Sequence, residues 1–179
     1  MARTRRPVVA GWFTDDGGDG NDDDAAGRHG SGRDGSGGES EFRLLGTRCT
    51  ACASVFFPRE DTWCRNPGCP GGGELVETPL SRHGRVWSFT DGRYRPPAPY
   101  VSDPDAPWDP YTLIAVELEA EAMVVLGQGA PGVRTGDLAV GMEVELVPGV
   151  LHEDDKHTWT TWHWRPVHAR VTDGTEERS

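Results

Sequence analysis

At 179 residues the chain suits one domain of ordinary size or two small ones, and 29 acidic against 18 basic side chains leave a formal charge of −11. That balance speaks against a protein held to nucleic acid by counterion release, which draws on a cationic surface. Only 35% of residues are hydrophobic while glycine (24) and proline (14) are abundant. No run is long and apolar enough for a membrane span or for the core of a signal peptide.

Residues 1–13 read as an N-terminal apolar arm. After a basic start carrying Arg5-Arg6, the stretch Pro7-Val8-Val9-Ala10-Gly11-Trp12-Phe13 is apolar and aromatic. Two readings are open for it. It is a strand or turn folded onto its own domain, or it docks Trp12 and Phe13 on a partner subunit, since interfaces favour such side chains. From 14 to 41 the composition shifts to Gly, Ser and Asp. Nine acids and two bases there carry −7 of the −11, leaving −4 for the rest. Such a stretch buries too little apolar area to offset chain entropy and is expected to be a disordered acidic insert.

The four cysteines fall next, in two close pairs, Cys49-x2-Cys52 and Cys64-x4-Cys69. A pair spaced by two residues lets a tight turn aim both sulfurs at one tetrahedral ion, and a second turn supplies the other two corners. Pro58, Asn66, Pro67, Gly68 and Pro70-Gly71-Gly72-Gly73 are the turn formers that two knuckles require. Residues 42–79 are therefore expected to be a zinc ribbon with Cys49, Cys52, Cys64 and Cys69 as ligands. With all four positions taken, the zinc would be structural. Disulfides and coincidental buried thiols are the competing readings. The first needs an oxidising compartment, for which the N-terminus gives no export signal. The second does not account for the pairing. The second knuckle is wider than the usual two-residue spacing.

Beyond residue 80 the pattern turns to strands: 84–94, 111–118, 122–128, 141–147 and 158–167, each β-branched, aromatic or alternating. Glu119-Ala120-Glu121 reads as the turn of a hairpin. No sustained helical stripe is present, so the fold class is all-β. Five strands over 80–168 suit an OB-fold barrel, whose closure removes exposed edges. Residues 169–179 read as a disordered tail. Gly71-Gly72-Gly73 lacks the Lys-Ser/Thr of a phosphate loop and reads as the ribbon's exit. His152-Glu153-Asp154-Asp155-Lys156-His157 is better explained as a solvated hairpin tip than as a second metal site. His83 and His163 read as ordinary turn and strand-face histidines.

The loop 94–111 is rich in proline and aromatics. Tyr94, Tyr100 and Trp108, flanked by Arg93 and Arg95, can meet a partner groove or the arm of an extended ligand, because proline stiffening lowers the entropy lost on docking. The other reading is a lid folded over one end of the barrel. Arg93 and Arg95 likewise either pair with ligand phosphates or are surface charges beside acidic neighbours.

Taken in order, Leu44-Leu45-Gly46-Thr47-Arg48-Cys49-Thr50-Ala51-Cys52, Phe56-Phe57-Pro58-Arg59, Leu80-Ser81-Arg82-His83-Gly84-Arg85-Val86-Trp87-Ser88-Phe89-Thr90, Ile114-Ala115-Val116-Glu117-Leu118, Val125-Leu126-Gly127-Gln128, Val140-Gly141-Met142-Glu143-Val144 and Trp162-His163-Trp164-Arg165-Pro166 resemble one family. These are the rubredoxin-like zinc-ribbon plus OB-fold proteins long classed as a domain of unknown function, whose genes accompany thiolase and lipid-transfer-protein-like enzymes. The acidic insert and the wide second knuckle depart from the family pattern. The resemblance implies a partner that is not an enzyme by itself but a required subunit of a thiolase-fold acyl-CoA enzyme. Some such complexes are carbon–carbon lyases, retro-aldolases that cleave a steroid side chain from its CoA thioester. High Gly, and Arg over a single lysine (Lys156), agree with a high-GC actinobacterial source and so with the steroid version.

The implied cofactors are a structural Zn2+ and acyl-CoA as a shared ligand, whose pantetheine arm the 94–111 loop could meet and whose phosphates Arg93 and Arg95 could pair with. The implied assembly is a cytoplasmic two-plus-two heterotetramer, with neither nucleic acid nor membrane as partner. Two other functions stay open: a single-stranded nucleic-acid-binding ribbon/OB protein, and an autonomous acyl-CoA-binding module.

Overall fold

The computed structural model describes residues 3–14, 42–97, 103, 105 and 107–167. The acidic insert beyond Thr14, the loop residue Tyr100 and the tail expected over 169–179 lie outside the described residues. Among those described, nine strands follow in chain order: β1 (Thr4–Pro7), β2 (Leu45–Cys49), β3 (Val55–Phe56), β4 (Leu75–Pro79), β5 (His83–Gly92), β6 (Tyr111–Leu118), β7 (Met123–Gly129), β8 (Glu143–Glu153) and β9 (His157–Pro166).

The alternation in the last five strands closes a barrel. β6 lies antiparallel between β5 and β7. β7 meets β9 in parallel where Gln128 and Gly129 face His163 and Trp164. β9 runs antiparallel along β8, which returns to β5 over Glu143–Glu145. This order and sense are those of the OB Greek-key barrel expected from the sequence. The inward residues are the apolar half of each alternation: Val86, Ile114, Val116, Leu118, Val125, Val144, Leu146 and Trp164 are buried. β2, β3 and β4 form the separate small antiparallel sheet of the ribbon.

The Glu119-Ala120-Glu121 hairpin turn stands where the sequence reading put it, while one barrel strand runs longer than expected. Between β6 and β7 the chain makes one 3₁₀ turn over Glu119–Glu121, closed by Ala122 in the left-handed region (φ 52°). The fourth barrel strand does not stop at Val147 but continues to Glu153. Pro148 and Gly149 are tolerated because β8 pairs β5 only as far as Glu145, so beyond it one edge needs no donor. Gly149 is used for space: a Cβ there would stand 2.3 Å from Nδ1 of His163, a buried ring. Gly149→Ala is accordingly expected to push His163 out of its position and destabilise the fold by about 1–3 kcal/mol, read as a drop in the thermal midpoint.

The N-terminal segment is a strap that ties barrel to ribbon. β1 pairs in parallel with His157–Thr160 of β9. A few residues on, Phe13 bridges Leu44 while Leu45 N–H donates to the Trp12 carbonyl (2.8 Å) and Thr14 N–H to that of Arg43 (2.9 Å). Trp12 packs on Phe57 (5.5 Å) and on Trp162 (6.2 Å), and Phe13 packs on Phe42 (5.6 Å) and Trp162 (5.9 Å). The core therefore runs without a break from Phe13, Phe42 and Leu44 through Leu80 into the barrel. Of the two readings open for this arm, the structure shows the one folded onto its own domain. Phe13 is 6% exposed and offers no docking surface, because its ring is spent on the seam.

Candidate metal centre and docking face

Each knuckle is built by local hydrogen bonding. In the first, Ala53 N–H donates to the Cys49 carbonyl and Cys49 N–H to the Ser54 carbonyl, both at 2.9 Å, with Ala53 at φ 60°. In the second, Asn66 absorbs the two extra residues. Its Oδ1 accepts from Gly68 N–H (2.9 Å) and its carbonyl from Cys69 N–H (3.0 Å). The wider spacing thus folds into a turn and leaves the sulfurs free to converge. Gly73 closes the loop, since a Cβ there would meet the Ala51 backbone nitrogen at 2.6 Å.

The result is a quartet of Cys49, Cys52, Cys64 and Cys69 whose Sγ atoms all lie within 4.8 Å of one another. The Cys49–Cys69 and Cys52–Cys64 separations are 3.8 and 3.5 Å. Four sulfurs at about 2.3 Å from a tetrahedral zinc stand roughly 3.8 Å apart, so the donor set fits that ion. Zinc held there would pin the two knuckles together. Four protein ligands leave no position for water or substrate. The Ser54 hydroxyl and backbone N–H hold the Cys52 thiol down to about 6, while desolvation and then the neighbouring sulfurs push Cys64 up to about 12. Metal binding displaces the protons of such thiols, so occupancy falls in acid.

Asn66 also reaches across the site, donating from Nδ2 to Ser54 Oγ (2.8 Å) and approaching Cys52 Sγ (3.6 Å). It braces the first knuckle from the second. Groups in this position typically govern 10- to 100-fold in metal affinity. Asn66→Ala is expected to weaken zinc retention by about that factor, measured by competition with a chromophoric chelator.

The tip between β8 and β9 is held by Asp154, which accepts from the N–H groups of Lys156 and His157, both at 2.7 Å. These two donors keep its carboxyl well below the usual range. Among the described residues only the cysteine quartet groups ligands closely enough for a metal.

The other candidate residues separate. Trp108 donates from Nε1 to the Gly92 carbonyl (3.1 Å) and stacks edge-on with Tyr111 (5.7 Å), which fastens the loop to the barrel. Arg95 lies over the Trp108 ring at 5.7 Å and hydrogen-bonds the Asp103 carbonyl. Arg93 pairs with Asp91 at 3.1 Å, the arrangement of a surface charge beside an acidic neighbour. Tyr94 remains 76% exposed.

A face that the sequence reading missed lies on the outside of the barrel. In an OB fold the face of the second and third strands takes the ligand, with the loops after the first and fourth strands. Here those strands are β6 and β7. Their outward positions are Leu113, Ala115 and Glu117 against Gln128, Leu126 and Val124, without a lysine or arginine. Trp87 joins this row because β5 bulges between Val86 and Ser88 opposite Ala115, and a bulge re-aims the extra side chain. Trp87, Leu126 and Val124 are 60%, 57% and 44% exposed. The break in alternation at Val86-Trp87-Ser88 was the available signal. Among the described residues no helix is long and apolar enough to cross a membrane.

Comparison with known proteins places these features in context. Residues 37–76 match the family model described as ChsH2, rubredoxin-like zinc ribbon domain. A DUF35 domain-containing scaffold protein of Methanocaldococcus jannaschii is 31% identical over 116 residues, covering 65% of this chain and 74% of that protein. A solved structure described as Ltp2-ChsH2(DUF35) aldolase is similar over 70% of this chain and 86% of that one, at 25% identity and a TM-score of 0.48.

Proposed function

The chain belongs to the DUF35-domain family of scaffold proteins, and from that premise we propose that it is a non-catalytic accessory subunit of a thiolase-fold acyl-CoA enzyme. The observation that carries this reading is the closed sulfur quartet in a ribbon locked to the barrel. The metal it would hold has no open position for chemistry, while Trp12, Phe13, Phe57 and Trp162 fix ribbon and barrel as one platform. A metal-pinned, rigid surface suits a subunit that lends a wall to another active centre, since pre-organisation lowers the cost of docking.

The finer reading is a retro-aldolase acting on a steroid side-chain CoA thioester, in a two-plus-two complex with a lipid-transfer-protein-like subunit. It rests on the family resemblance of 44–167 and on the ribbon's match to the ChsH2 model. Tyr94 and Trp108 would then border the shared acyl-CoA channel. Arg93 and Arg95 add little to phosphate recognition, since both have local partners. Oligonucleotide binding draws no support from an OB face whose outward residues on β6 and β7 include no basic side chain.

The test is co-expression with a thiolase-like enzyme encoded in the same genome, followed by size exclusion with light scattering. Co-elution at the mass of two copies of each chain is expected. Separate elution at all concentrations would remove the subunit reading, and acyl-CoA retained by the chain alone would favour an autonomous binding module.

A further inference from the structure

The geometry points to the outward face of β5, β6 and β7 as the surface that takes the partner, and to a partner face with an apolar ridge bordered by cationic side chains. This inference rests on the accessory-subunit reading and specifies the interface. Trp87, Leu113, Ala115, Val124 and Leu126 form one strip across three hydrogen-bonded strands, by the register that sets Ser88 beside Ala115 and Ala115 beside Leu126. An apolar strip exposed at Trp87, Val124 and Leu126, half-buried at Leu113 and buried at Ala115, marks an interaction surface. It lies on hydrogen-bonded strands, so its backbone is already ordered, and it offers a tryptophan of the kind that dominates binding energy.

Charge selects the occupant. At one end of the strip Glu117, paired across from Val124, joins Glu119 and Glu143 around a cleft of about 420 Å³ that also holds His83 and Arg85. Arg85 sits in register between Glu117 and Glu143 and donates to the Gly141 carbonyl at 3.2 Å. Three carboxylates against one guanidinium leave this end negative. It would repel nucleic-acid phosphates and anionic lipid, and it steers a protein whose rim is basic. The strip supplies burial and the glutamates supply approach.

The experiment uses the full chain with the thiolase-like enzyme that co-elutes with it, titrated by interferometry at several salt concentrations. Trp87→Ala is expected to raise Kd by about 30-fold or more, the size of a central hot spot, and Leu126→Asp to abolish binding. Glu117→Lys combined with Glu119→Lys is expected to slow association and flatten or invert its salt dependence. All four side chains are exposed, so zinc content and melting temperature should stay those of the wild type. Wild-type binding with Kd within twofold in every variant would overturn this interface while leaving the subunit reading in place. A homodimer of the chain alone that Leu126→Asp turns into monomer would assign the strip to a second copy and also overturn it. Failure of the wild type to bind the enzyme would end both.

Discussion

Cys49→Ser is expected to release the metal and unfold the ribbon, with loss of co-elution with the partner. Cys49 is fully buried, and its N–H and carbonyl both belong to the first knuckle, so the change removes a ligand and unsettles the turn that aims Cys52. Structural zinc contributes on the order of 10 kcal/mol to the folding of small modules, more than the net stability of most domains. The damage would not stop at the ribbon. Leu44, Phe57 and Val55 pack into the same core as Leu80 and Leu146, so their exposure should lower the melting transition of the whole chain. Zinc quantified by atomic emission should fall from one equivalent to near zero, and proteolysis should begin between residues 49 and 76. A variant that kept its zinc, its melting point and its partner would show that the quartet does not hold the ribbon together.

Phe13→Ala carries the second large effect. The ring is buried between Phe42 and Trp162 at the junction of strap, ribbon and barrel. Removing a buried phenylalanine costs about 3–5 kcal/mol through lost transfer energy and the cavity left behind. Tyr94→Ala, at an exposed ring, should stay within about 0.5 kcal/mol. Urea unfolding compares the two directly. Equal midpoints would mean that the N-terminal segment does not complete the core. A loss in Phe13→Ala without loss of zinc would separate the strap's contribution from the metal's.

These two sites differ in how far the sequence reveals them. The cysteine spacing names its own chemistry, because turn geometry is local and the ligands lie within about two dozen residues. The wide second knuckle is explained only by the Asn66 turn. The barrel is legible strand by strand, since each alternation states which side faces inward. The strap is not, because its fate depends on partners far away in sequence: Thr4 opposite His157 and Phe13 opposite Leu44. An apolar heptapeptide is compatible with docking or with folding back until those pairings are seen. The apolar strip is hidden for another reason. β7 is apolar on both faces, so Val124 and Leu126 read like core, and at the β5 bulge Trp87 stands one residue out of phase. For Arg93 and Arg95 the sequence leaves two readings open, CoA phosphates or surface charge, because the local partners, Asp91 and the Asp103 carbonyl, depend on how the loop folds.

The most direct test of a scaffold role is thioester turnover by the purified chain, by the thiolase-like enzyme and by the two reconstituted together, each with the same steroid side-chain CoA thioester. Full turnover is expected only in the mixture, with none above background from this chain. Turnover by the chain unaided would contradict the scaffold role, as would an enzyme that works equally well without it.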